Sequence, residues 1–325
     1  MDSYERVVKA INFDTPDRIP ILNINKDQKD GDVLWYDLRV YDDSNQEKKG
    51  WHKGNKSEWG YVWRTLDDGT MGQPTEPVIY DFDNIEDYVF PEENEALRFA
   101  EIDPFLEMSE GYYRLAMLIA TGFTTYTFIR GFENAMLDFG MRDPQALILL
   151  KKIFEFEKKL MKCCKNHGFH GFHLGDDWGT QHGMMISAEM WDEIFAPLYK
   201  DQIEYAHELG LHIWFHSCGN FQAIIDRMHD LKVDVINIAQ PNVVDYQSVG
   251  NHLKGKQCFL MPLSYQTTSI SGTRQEILGE AQKMYDALGT RKGGFIGYTE
   301  EYYCMGMSES NFEACKEAFA RIKIE

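Results

Sequence analysis

Apolar positions recur along this chain with two different periods, and stretches of the two kinds alternate. Residues 3–12 put Val7, Val8 and Ile11 on one side of a helix. Residues 18–23, Arg-Ile-Pro-Ile-Leu-Asn, predict a first strand after a Thr15-Pro16-Asp17 turn. From residue 26 to about 94 the chain is polar and rich in Asp, Gly and Trp, with turn signals at Asp30-Gly31 and Asp68-Gly69. This stretch predicts an excursion from the main fold, with a β-hairpin near 60–71, and not a separate domain. Further strands are predicted at 113–119, 168–174, 211–215, 233–238, 258–263 and 293–298. Helices are predicted at 144–165, where Leu147, Leu150, Ile153, Phe154 and Leu160 share a side, and at 187–209, capped by Ser187. Others cover 221–231, 273–288 behind a Thr273-Arg-Gln-Glu276 capping box, and the segment from 308 onward.

About seven strands separated by helices force parallel pairing and right-handed crossovers. The fold class predicted is α/β: a (β/α)8 TIM barrel with an N-terminal excursion containing a β-hairpin, as a single domain over 1–325. A doubly wound open sheet also alternates in this way, but no G-x-G-x-x-G loop follows any strand. There is no internal repeat and no linker.

Composition narrows the function. The net charge is −19, which disfavours nucleic acid and anionic membrane surfaces, since both are polyanions. No apolar stretch approaches the roughly 18 residues of a membrane span, and the first residues have neither the basic start nor the apolar core of a signal peptide. A cytoplasmic protein handling a small ligand or a protein partner is expected. Six cysteines in 325 residues are too sparse for a disulfide scaffold, so their thiols are expected to stay reduced.

In a barrel, active groups stand where strands end and loops begin. Three such ends are chemically loaded. In His216-Ser-Cys-Gly-Asn220, directly after an apolar run, residues 216 and 218 point to the same side of extended backbone. An imidazole and a thiolate then converge as a zinc site requires, with Gly219 permitting a tight turn. A buried cysteine beside a hydrogen-bonded histidine fits the same residues. Tyr298-Thr-Glu-Glu-Tyr-Tyr-Cys304 follows the last strand, and Cys304 would complete a His/Cys/Cys set that leaves one position open. Packing of Cys304 in an aromatic loop is the alternative. In Gly175-Asp-Asp-Trp-Gly179, Asp176 or Asp177 is placed to orient a metal-bound histidine or the substrate, or else to cap the next element. Trp51, Trp59, Tyr61 and Trp63 form an aromatic group in the excursion, either a lid over the barrel mouth or ordinary loop packing. Cys163-Cys164 reads as half-buried helix surface, Cys315 as core, and the spacing of His167, His170 and His173 does not put them on one side of a strand.

Three of these segments resemble uroporphyrinogen-decarboxylase-like proteins. They are Glu5-Arg-Val-Val-Lys-Ala-Ile-Asn-Phe-Asp-Thr-Pro-Asp-Arg-Ile-Pro20, Gly175–Gln181 together with Ile186-Ser-Ala-Glu-Met-Trp-Asp-Glu-Ile-Phe-Ala-Pro197, and His216–Asn220. The resemblance covers nearly the whole chain and implies a (β/α)8 barrel. True decarboxylases of this kind carry an Arg-Gln-Ala-Gly-Arg segment after the first strand. Here Ile24-Asn-Lys-Asp-Gln-Lys-Asp30 has no arginine to meet a substrate bearing many carboxylates. The other branch holds zinc methyltransferases that work with a corrinoid protein, and its His-x-Cys and later Cys match His216, Cys218 and Cys304. The stretch Glu58-Trp-Gly-Tyr-Val-Trp63 with Asp68-Gly-Thr-Met-Gly72 resembles O-demethylase methyltransferases of anaerobic bacteria. For that group a Glu-(14)-Glu-(20)-His zinc pattern is also matched by Glu193, Glu208 and His229, although on one continuous helix the two glutamates would stand roughly 22 Å apart.

The resemblance therefore implies a Zn2+ enzyme that moves a methyl group from a small methylated substrate, such as an aryl methyl ether, to the cobalt of a separate corrinoid protein. Asp176 and Asp177 would serve at the site, and Trp59, Trp178, Tyr298 and Tyr302 would line an aromatic pocket. The alternatives are methyl transfer from a methylcorrinoid to a thiol, a decarboxylase-type tetrapyrrole enzyme, and a corrinoid binder without turnover.

Overall fold

The computed structural model describes residues 1–24, 28–40, 56–64, 72–83 and 85–324. Trp51 and the Asp68-Gly69 turn lie outside the described residues. Eight parallel strands close into a barrel. They are β1 (Ile21–Ile24), β2 (Val33–Asp37), β5 (Tyr113–Leu118), β6 (Gly171–Gly175), β7 (His212–Ser217), β8 (Val235–Ile238), β9 (Cys258–Pro262) and β10 (Phe295–Glu300). Strands β3 (Trp63–Arg64) and β4 (Gln73–Pro74) pair antiparallel as the hairpin of the excursion. The TIM-barrel prediction thus holds, with the hairpin in place.

The barrel strand missing from the periodicity is β2, inside the stretch read as excursion. Its Val33-Leu-Trp-Tyr run is short, and among the described residues the connection from β1 carries only a 3-10 turn (Gln28–Asp30) in place of a helix. The strand–helix alternation on which the reading depended is absent at that point. A second difference concerns residues 187–209. Two helices occupy them, Ala188–Ile194 and Ala196–Glu208, because Pro197 has no N–H with which to continue the ladder across Phe195.

Side chains alternate between two cores. Leu22, Val33, Leu115, Trp214, Val235, Leu260 and Ile296 fill the inside of the barrel, while a larger set packs between strands and helices. The helix Ser3–Ile11 plugs the N-terminal end of the barrel: its Val7 and Ile11 join the inner core, and the Tyr4 ring lies 4.4 Å from that of His170. Asp32 locks the plug by pairing with Arg6 (2.6 Å) and Arg18 (2.7 Å) and accepting from the Ile21 N–H (2.9 Å). With that end sealed, the C-terminal strand ends are left for chemistry.

The hairpin is stapled to the outer helices by aromatic edges. Tyr61 and Trp63 meet the Phe128 ring at 5.3 and 5.8 Å, and Trp59 meets Phe156 at 5.1 Å. Trp59 is therefore core packing against the helix Pro144–Asn166, away from the barrel mouth.

Two buried acids organise the start of the helix Gly122–Arg130. Asp176 accepts from the N–H groups of Phe123 (3.0 Å) and Thr124 (2.7 Å), and Glu157 accepts from that of Gly122 (2.7 Å). Burial pushes the Asp176 carboxyl up to about 7 against its hydrogen bonds, and that of Glu157 up to about 8. Each holds a proton in the fold that the unfolded chain loses near the ordinary carboxylate range. Their contribution to stability therefore declines as pH rises from about 4 towards 7 or 8. Gln202, whose Nε2 lies 2.6 Å from Glu157, has no partner for its Oε1, so its amide can turn to accept from a donor at position 157. Glu157→Gln should accordingly fold and flatten the fall in thermal stability between pH 5 and 8. Glu157→Ala should cost about 2 kcal/mol throughout, since the Gly122 N–H is left without an acceptor. Thermal unfolding scans across pH distinguish the two.

Candidate metal centre

Strand parity brings the His-x-Cys pair together. On β7 the inward positions are 212, 214 and 216, and the next one, 218, lies just past the strand end. The Cys218 sulfur lies 3.5 Å from His216 Nε2. Asp177, from the loop after β6, completes the group with Oδ1 3.5 Å from the same Nε2. Donor atoms of all three lie within 4.8 Å of one another. The backbone holds this arrangement: Asp177 Oδ1 accepts from the Cys218 N–H at 2.7 Å, and Gly179 N–H donates to Cys218 O at 3.2 Å. Gly219, at φ +71°, abuts Gly179 so closely that a Cβ would collide with its carbonyl.

A second ring of groups orients the donors. Asn237 Nδ2 donates to Leu260 O at 2.8 Å, which turns its Oδ1 towards His216 Nδ1 at 2.5 Å. That oxygen can only accept, so Nδ1 carries a hydrogen and Nε2 is the nitrogen turned towards Cys218 and Asp177. Removal from water opposes charge on His216, but its contacts with Cys218 and with the Asp177 carboxylate raise its pKa well above the ordinary value. Asp177, pushed up by the same desolvation, is held below the usual carboxylate range by His216 and the Cys218 N–H. His216 Nε2 thus sits between the Asp177 carboxylate and the Cys218 sulfur, where a cation would go. His173 stands behind, its ring 5.7 Å from that of His216; burial and that neighbouring charge push it down to about 3, so it stays neutral.

The donor set fits zinc. Tetrahedral bonds of about 2.0–2.3 Å from Zn to N, O and S place ligand atoms roughly 3.3–3.6 Å apart. Both measured edges, 3.5 Å, lie in that range. Three protein donors with open space beyond them form the catalytic type of site.

Other candidate residues are placed elsewhere. Cys304 is exposed on the turn Tyr303–Met305, where the chain has already swung out of the barrel, and it is not in the cluster. Asp177, expected to orient a metal-bound histidine or the substrate, stands instead among the three clustered donors. Asp176 faces the opposite way, buried against the helix Gly122–Arg130, with Tyr199 also donating to it. Trp178 is wholly buried, stacked 4.3 Å from Phe123. Glu193 pairs outward with Arg142 (2.6 Å), Glu208 is exposed at a helix end, and His229 bonds to Gln257 (3.1 Å), so these three do not meet. Tyr298 points into the barrel and donates to Glu300; Tyr302 packs 4.7 Å from Tyr265, whose hydroxyl reaches the Cys218 sulfur at 4.0 Å.

Asn237, Tyr265 and Glu300 escaped the sequence reading. Two had a signal: Asn237 is the polar residue in the Val235–Ile238 strand, and Glu300 has the inward parity of Tyr298. Burial raises the Glu300 carboxyl above its ordinary range.

Residues 71–319 match the family described as uroporphyrinogen decarboxylase (URO-D). No curated protein matches the chain significantly. Among solved structures, a methyltransferase from Methanosarcina mazei overlays at TM-score 0.71 and 10% identity, covering 98% of each chain. A B12-independent methionine synthase from Shewanella sp. W3-18-1 overlays more loosely, at TM-score 0.46 and 11% identity over 68% of this chain and 64% of that one. At such identities the likeness is one of fold.

Zinc titration of the chelated chain should reach about one ion per chain. Cys218→Ala should abolish this uptake, Cys304→Ala should leave it intact, and Asn237→Ala should weaken it by 10- to 100-fold. Retention by Cys218→Ala, or loss in Cys304→Ala, would contradict the assignment.

Proposed function

Because the chain belongs to the uroporphyrinogen decarboxylase family, we propose that it works in that family as a zinc-dependent methyltransferase, moving a methyl group from a small methylated substrate, an aryl methyl ether being the favoured class, to the cobalt of a separate corrinoid protein. The observation that carries this reading is the convergence of Asp177, His216 and Cys218 on one point at the open barrel end. The stretch Ile24–Asp30 contributes no arginine of the kind that a substrate with many carboxylates requires, which argues against decarboxylation. The whole-chain overlay with a methyltransferase supports the same choice.

When bound, zinc supplies Lewis acidity at the ether oxygen, and the partner's reduced corrinoid supplies the nucleophile. The protein must do the rest. Asp177, His216 and Cys218 set the direction from which the substrate oxygen is held, and Asn237 keeps the imidazole turned to that point. As the carbon–oxygen bond breaks, its electron pair stays on oxygen, and that oxygen needs a proton. We assign the delivery of that proton to Glu300, which accepts from the Tyr298 hydroxyl on the inner wall and whose carboxyl burial raises above its ordinary range.

The experiment is methyl transfer from a methoxyarene to a reduced corrinoid protein, followed by the cobalt spectrum. Activity should depend on zinc, on Cys218 and on the added corrinoid protein. Release of the demethylated phenol by the chain alone would defeat the proposal, and methylation of a thiol from a methylated corrinoid protein would reverse its direction. Glu300→Gln should lower turnover by about 100-fold with zinc content unchanged.

A further inference from the structure

A cleft of about 400 Å³ opens beside the metal cluster, between the hairpin and the helix Gly122–Arg130. Asp177 forms part of its wall, so its contents would lie next to the candidate metal donors. The rings of Phe123, Phe128 and Phe132 and the thioether of Met185 supply the apolar lining. A cleft of this size holds one substituted aromatic ring and is too small for a tetrapyrrole.

The charge of the lining is one-sided. Its ionisable groups are Asp177 and Glu76, and no lysine or arginine lines it among the described residues. The cations nearby are engaged. Arg130, on the adjoining helix, pairs with Asp138 at 2.8 Å and donates to Ile79 O at 2.6 Å, and Arg64 on the hairpin faces Glu76 at 3.8 Å. The other feature that would bind an anion here is the start of the helix Gly122–Arg130. Its amides are consumed: Gly122 N–H by Glu157, and those of Phe123 and Thr124 by Asp176. Of the three threonine hydroxyls in the wall, that of Thr124 is committed to Asp176 and that of Thr127 to Thr124 O, so the hairpin side offers only the neutral groups of Gln73 and Thr75. A carboxylate entering this space would lose its water and find no cation to replace it.

We propose that this cleft takes the ring of the methyl donor and selects an uncharged ring over an anionic one, so that the substrate is a neutral methoxyarene and not a methoxybenzoate. The inference rests on the methyl-transfer reading for its substrate, but its test does not require turnover.

Binding of 3-methoxybenzyl alcohol and 3-methoxybenzoate, matched in size and differing in charge, is measured by calorimetry. The full chain is used after chelation, so that the carboxylate cannot score by ligating zinc. The alcohol should bind at least tenfold more tightly. Thr127→Arg should raise affinity for the benzoate at least tenfold, by placing a cation in the wall. Phe132→Ala, at the exposed rim, should weaken both ligands severalfold without changing their order, which keeps the proposal testable if the arginine variant does not fold. Equal or tighter binding of the benzoate, no binding of either probe, or indifference of both ligands to Phe132→Ala would overturn it. A chain that shows this preference yet transfers no methyl group would keep the cleft assignment and lose the function proposed above.

Discussion

The carboxylate of Asp177 is the tie on which the site depends. One of its oxygens takes the amide hydrogen of Cys218 and faces the imidazole of His216, so a single group from the β6 loop fixes backbone and side chain of the β7 end together. The contact of Gly179 with Gly219 makes the tie short, because no side chain separates the two loops. His216 is held from the other side by Asn237, itself anchored to β9 through Leu260 O. Four neighbouring strand ends thereby set three donor atoms to a spacing suited to one small cation.

The two adjacent aspartates show how one residue of sequence separates chemistry from architecture. Asp176 follows the strand on its outer face and is buried against a helix start, where Phe123, Thr124 and Tyr199 hold it. Asp177 emerges at the mouth beside polar neighbours. Burial raises the first, while a cationic neighbour holds the second ionised. The same capping that stabilises the helix also removes its amides as an anion site. The structural role of Asp176 and the charge preference of the neighbouring cleft therefore have one cause.

Much of this was legible in the chain. Seven of the eight barrel strands carry the short apolar runs expected of buried parallel strands, and His216 and Cys218 share a parity that any extended backbone would impose. Strand β2 was not legible, because the described part of the connection that precedes it carries a 3-10 turn in place of a helix, so no strand–helix alternation marks it. Trp59 and Trp178 suggested a substrate pocket by residue type alone, and packing put both into the core. The break at Phe195 was signalled by Pro197, whose ring ends the hydrogen-bond ladder wherever it falls inside a helical pattern.

By itself the sequence determined seven of the eight barrel strands, several of the helices, and which side chains share a side within each strand, since those properties depend on the local geometry of a few bonded residues. The tertiary structure decided which third group stands beside His216 and Cys218. Cys304 and Asp177 have equal claims by chemistry and by position after a strand. The choice between them depends on the path of a loop after it leaves the barrel, and hence on contacts between residues far apart in the chain. For the same reason the lack of a free cation at the cleft could not be read in advance: cations are present in the sequence, and only packing shows that those nearby are taken by partners.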